Sequence, residues 1–101
     1  MQADQGGDGY DASDLMTALK TGVYPTKNAV GMTFRHKMSR LVFTIDNETD
    51  FPVTQLVVTG TIGTAVIDAA ANTVTVKADA ATQDITAREV TANSKYYALV
   101  V

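Results

Sequence analysis

Between residues 32 and 45 the sequence reads MTFRHKMSRLVFTI, with apolar and polar positions in alternation. A period of two marks a strand with one buried face. Met32, Phe34, His36 and Met38 share one side; Leu41, Phe43 and Ile45 then take over at odd positions. One extra residue near Ser39 and Arg40 would give that change of phase, because a single insertion flips the facing of everything after it. A β-bulge is the simplest cause. A strand break, with the chain passing between sheets, is the alternative.

Similar patterns follow. Residues 54–60, 64–69, 72–78, 84–89 and 95–101 read as strands, with Val74 and Val76 facing inward in the third. Segments rich in Asp, Asn, Pro and Gly separate them: DNETDFP at 46–52, then residues 60–63 and 70–72. Strands recurring at roughly ten-residue spacing, with turns between, predict a β-sandwich or barrel. Residues 11–22, DASDLMTALKTG, are the one helix candidate. Asp11 or Ser13 can cap it, Leu15, Met16 and Leu19 share a face, and Gly22 lies just beyond. It predicts one short amphipathic helix or a pair of turns. Residues 1–10, acidic and glycine-rich, read as a flexible tail, and residues 11–101 as one β-sandwich domain.

Composition sharpens this picture. The 101 residues suffice for one small domain with a modest core. An apolar content of 46% with 19% charged residues fits a folded chain, and abundant Thr and Val favour strands. The net charge of −3 and scattered basic residues argue against nucleic-acid binding, which needs clustered Lys and Arg. Arg35, Lys37 and Arg40 read as a solvated face. No apolar run approaches the ~20 residues of a membrane span. Cysteine is absent, which removes disulfides and thiolate chemistry. The opening MQADQGGDGYDASD has neither a basic nor an apolar signal region and reads as a mature-protein boundary with an added Met. The chain ends within an apolar strand at Val101, which reads as part of a longer protein.

Catalytic chemistry finds little support. His36 is the only imidazole, and Ser39, three residues on, faces the opposite side of an unbroken strand. No metal-ligand spacing surrounds His36. Asp4, Gly6, Asp8 and Gly9 echo a calcium loop, but Leu15 stands where the bidentate Glu belongs. No enzyme activity and no cofactor are therefore expected. His36 is expected to be a neutral residue at the core edge, bonded to backbone and covered by Phe34 and Met38. Tyr24, Tyr96 and Tyr97 could form a sugar-stacking surface. Tyr96 and Tyr97 are adjacent, so one is expected in the core and one outside. Asn47-Glu48-Thr49 is a glycosylation sequon in an exposed turn.

The order F-x-H-x-M-S-R-L at residues 34–41, the preceding Asp14-Leu15-Met16 and the ending at residues 96–101 resemble the N-terminal domain of fimbrillin-type proteins, subunits of type V pili. The likeness runs from about Tyr10 to the end. It makes Phe34, His36, Met38, Leu41, Phe43 and Ile45 the family motif and core. It implies a transthyretin-like β-sandwich of about seven strands, export as a lipoprotein, and a place at the outer membrane as a stalk, anchor or tip component of fimbriae. It implies polymerisation by strand exchange: a leading strand is removed after an Arg, and a neighbouring subunit's strand fills the groove. No Arg precedes Arg35 here, so processing at Lys20 or Lys27, or none, is implied instead. The expected partners are other pilus subunits, a host protein or glycan, and a second copy by edge pairing. A carbohydrate-binding or adhesin module is the alternative reading.

Overall fold

The computed structural model describes residues 1–100, and at Leu99 the backbone alone. It is all-β apart from one five-residue helix, α1 (Gly9–Ser13). Nine strands lie among the described residues: β1 (Met16–Thr17), β2 (Arg35–His36), β3 (Ser39–Thr44), β4 (Val57–Ile62), β5 (Ala65–Asp68), β6 (Thr73–Val76), β7 (Thr82–Thr86), β8 (Arg88–Thr91) and β9 (Lys95–Val100). They form four antiparallel sheets: β1-β2, β3-β9-β8, β4-β7 and β5-β6.

The phase change in residues 32–45 is a strand break rather than a bulge. β2 pairs with β1 (Met16 opposite His36), and the Lys37 N–H still bonds to the Leu15 carbonyl at 2.9 Å. The chain then crosses to the next sheet, where β3 pairs with β9 along its whole length. The break falls at Lys37 and Met38, slightly before Ser39 and Arg40. The helix expected over 11–22 is likewise replaced. α1 begins and ends earlier, and Met16 enters a strand instead of a helical face. Its partner, His36, is twenty residues away in sequence, a distance that local periodicity does not register.

Residues 60–63 are not simply a turn. β4 continues through Gly60, and Val58 pairs with Ile85 while Thr61 pairs with Gln83. Thr59 and Gly60 thus oppose Asp84 alone, which is a bulge. Gly60 has φ 69°, a left-handed value that glycine adopts freely. The expected strand at 84–89 divides at Ala87 into β7 and β8, which belong to different sheets. The β5–β6 hairpin follows the expected positions. Its turn carries Asn72 at φ 55°, and the Asp68 carboxylate accepts the Ala71 N–H at 3.0 Å.

The core is small and lies where the β3-β9-β8 and β4-β7 ladders meet. Ile85, Ala87, Tyr96 and Ala98 are buried, with Phe43, Ile45, Val53, Leu56, Val58, Val100 and Met1 packed around them. Alternation explains the set: Phe43 lies opposite Tyr96 and Leu41 opposite Ala98 on one face of the sheet. The radius of gyration is 17.7 Å, against about 13 Å for a compact chain of this length. The molecule is 63 × 35 × 18 Å, long and thin.

Residues 1–10 do not stand away from the domain as a tail. The Thr86 N–H donates to the Ala3 carbonyl at 2.7 Å, and the Gln5 N–H donates to the Thr86 carbonyl at 2.9 Å. Asp4 thereby forms a parallel bridge with Thr86, and Gln5 is fully buried. Gly9 permits this close return: a Cβ there would collide with the Asp4 carbonyl oxygen.

Candidate functional surface

Two faces of the β3-β9-β8 sheet carry different chemistry. On the inner face Tyr96 is 1% exposed, and its hydroxyl donates to the Val53 carbonyl at 3.2 Å. Burial, with the Glu89 charge adding to it, raises the Tyr96 phenol above its ordinary value. Tyr96 is therefore a core residue and not part of a ligand surface. Its neighbour Tyr97 is half-buried on the outer face, the division that strand alternation predicts.

The motif residues do not all enter the core. Phe43 and Ile45 pack against it. Met38 is half-buried and lines two shallow cavities, but Leu41 is exposed and Phe34 is 61% exposed. The expectation of a covered His36 is corrected too: its side chain is 66% exposed, and Nδ1 lies 2.8 Å from an Asp14 carboxylate oxygen. A carboxylate can only accept, so Nδ1 carries the proton. β1 and β2 hold two residues each and both residues of β2 are exposed, so the side that alternation marks as inward is not covered here.

Around Tyr97 the outer face gathers rings and cations. Tyr10, delivered by α1, stands with its ring centroid 6.2 Å from that of Tyr97 at an interplanar angle of 40°. The Arg40 guanidinium carbon is 5.2 Å from the Tyr97 centroid, and Lys95 Nζ is 5.7 Å from it. Arg88 lies over Tyr10 at 5.8 Å and pairs with Asp11 at 3.0 Å. Sequence reasoning missed Tyr10, Arg88 and Lys95. The spacing Lys95-x-Tyr97 could have placed Lys95 beside Tyr97, but nothing local brings Tyr10 or Arg88 to this sheet. Tyr24 lies apart from the cluster and is exposed. The sequon asparagine is engaged within its own turn, where Asn47 Nδ2 donates to the Phe51 carbonyl at 2.7 Å.

The sheet edges differ as well. The free side of β7 is bridged by the N-terminal segment, while among the described residues β3 and β4 each have one ladder neighbour. Leu41, Val42 and Val57 on these two strands are exposed, as are Val66 and Ile67 on the β5–β6 hairpin. Among the described residues no three His, Asp or Glu side chains are placed to hold a metal ion, and no helix is long and apolar enough to cross a membrane.

Neither the curated proteins nor the solved structures contain a match to this chain. A family model described as Fimbrillin-like matches residues 1–101. With an all-β structure and a match spanning its whole length, the chain belongs to the fimbrillin-like family.

Proposed function

We propose that the chain is a structural module of cell-surface fimbriae that accepts a β-strand from a neighbouring subunit. Family membership points to a fimbrial subunit with other pilus subunits as partners and a location at the cell surface. The observation that carries the finer reading is incomplete cover. Among the described residues four buried apolar side chains form the core, while β3 and β4 flank it with unpaired edges and exposed apolar side chains. A strand added to either edge would satisfy backbone N–H and C=O groups and place alternate side chains over the half-buried rim of Phe43, Ile45, Val53 and Leu56. With that strand in place, the two facing ladders would close as a transthyretin-like β-sandwich. An open edge of this kind also favours pairing between copies. The work is done by backbone and apolar surface, with no catalytic group involved.

Residues 18–34 are irregular and largely exposed, and they hold Lys20 and Lys27. They are the reachable place for any proteolytic step that precedes assembly. Attachment as an outer-membrane lipoprotein and a role in adhesion extend the same proposal. Tyr24, 82% exposed, offers a free ring face and favours the adhesin reading.

Light scattering of the chain, alone and with excess six-residue peptides of alternating apolar pattern, tests the proposal. One of the peptides copies Lys95–Val100. Self-association that a peptide converts to a monomer with a higher melting temperature is the expected result. A monomer whose melting temperature no peptide changes would refute strand acceptance.

A further inference from the structure

The outer face of the β3-β9-β8 sheet holds a second feature that strand acceptance does not use. Arg40 on β3, Lys95 and Tyr97 on β9, and Arg88 on β8 lie on one side of the sheet, because Val42 and Arg88 both pair with Tyr97 and residues two apart share a face. Three of the eight Lys and Arg residues thus surround two tyrosine rings in a chain whose net charge is −3.

The nearby carboxylates are otherwise occupied. Asp11 takes Arg88, Asp14 takes His36, and a Glu89 carboxylate oxygen accepts the Asn93 N–H at 2.7 Å. Among the described residues Arg40 and Lys95 meet no carboxylate within ion-pair distance. A guanidinium lying over a ring keeps its N–H edge free, and that edge fits a carboxylate or sulfate in a fork. Two cavities flank Tyr10 and Arg40. One, of about 340 Å³, is also lined by Arg88, Glu89, Val90 and Tyr97. The other, of about 460 Å³, is also lined by Asp14, His36 and Met38. Both volumes fall in the range of small-molecule sites, about 300–1,000 Å³.

We infer that this groove binds an acidic saccharide, a sugar carrying carboxylate or sulfate groups. Two tilted rings with polar tips suit a ligand with apolar C–H faces and a polar rim, and the cations supply its counter-charge. The groove centres on β9, which is paired on both sides. A peptide lying over Tyr97 would therefore meet side chains rather than a free strand edge, and backbone pairing would require it to shift outward to β3 or β8.

Titration calorimetry of the full chain with trigalacturonate, a heparin-derived tetrasaccharide, maltotriose, inorganic sulfate and a glutamate-rich hexapeptide tests the inference. We expect saturable binding of at least one of the two acidic saccharides; which of them binds distinguishes carboxylate from sulfate. Arg40→Gln or Lys95→Gln should weaken it by about tenfold, the loss of one charge-assisted contact, with circular dichroism unchanged. Lys77→Gln, which removes the same charge elsewhere, should leave it intact. The inference falls if neither acidic saccharide binds, or if Lys77→Gln weakens binding equally. It also falls if sulfate, maltotriose or the peptide binds as tightly as the saccharide.

Discussion

At the residue scale, the contrast between His36 and Tyr96 separates what alternation can tell from what it cannot. Alternation marks His36 as inward and puts one of Tyr96 and Tyr97 in the core. Tyr96 lies on a central strand whose inner face meets a second ladder, so it is buried and its hydroxyl is bonded. His36 lies on a ladder with no facing layer, and its exposed pair with Asp14 contributes at most about 1 kcal/mol. The raised Tyr96 phenol gives a signed expectation. The folded protein holds this proton at pH values where the unfolded chain, near the ordinary value of 10.0, has begun to release it. Its contribution to stability is therefore complete below about pH 10 and is lost as pH rises through the folded value. Melting temperature measured from pH 8 to 11 should fall more steeply for the native chain than for Tyr96→Phe. Parallel curves would mean that this phenol is not held neutral by burial. Tyr10 marks the limit of sequence reading at this scale, because its ring meets Tyr97 only through the docking of α1 on β9.

At the element scale, legibility followed the range of the interaction. The β5–β6 hairpin and β9 fall where the local pattern placed them, because their alternation and turn residues are contiguous. β1 and β2 have two residues each and no period to read. The apolar spacing of Leu15, Met16 and Leu19 suggested a helix, and pairing with a distant segment overrode it. Gly60 suggested a turn because glycine marks turns and bulges alike. The largest difference is at the N-terminus. Residues 1–10 have the composition of a mobile tail, yet Ala3 and Gln5 satisfy both backbone groups of Thr86. Gly9 is the pivot of that return. Gly9→Val would drive a side chain into the Asp4 carbonyl, and overpacking of this kind destabilises by about 1–3 kcal/mol. Chemical denaturation should register that loss, with faster amide exchange at Thr86 and Gln5. An unchanged exchange rate would show that the segment accommodates the side chain without leaving β7.

At the scale of the whole molecule, the dominant fact is a mismatch between apolar content and apolar cover. Nearly half of the residues are apolar, yet among the described residues the buried apolar set numbers four, and the radius of gyration exceeds that of a compact chain. The β5–β6 hairpin exposes Val66 and Ile67, and a two-stranded hairpin is marginal without a packing partner. Composition and periodicity made the all-β class legible, and the motif order made the family legible. Neither reveals how the ladders face one another or which edge stays open, since those depend on contacts between distant segments. A fimbrial module accounts for the mismatch if a neighbouring subunit supplies the missing strand. Hydrogen exchange of the outward-facing amides of β3 and β4, in the free chain and in assembled fibres, tests this most directly. The account predicts rapid exchange in the free chain and strong protection of one of the two strands after assembly. Equal exchange before and after assembly, on both strands, would contradict it.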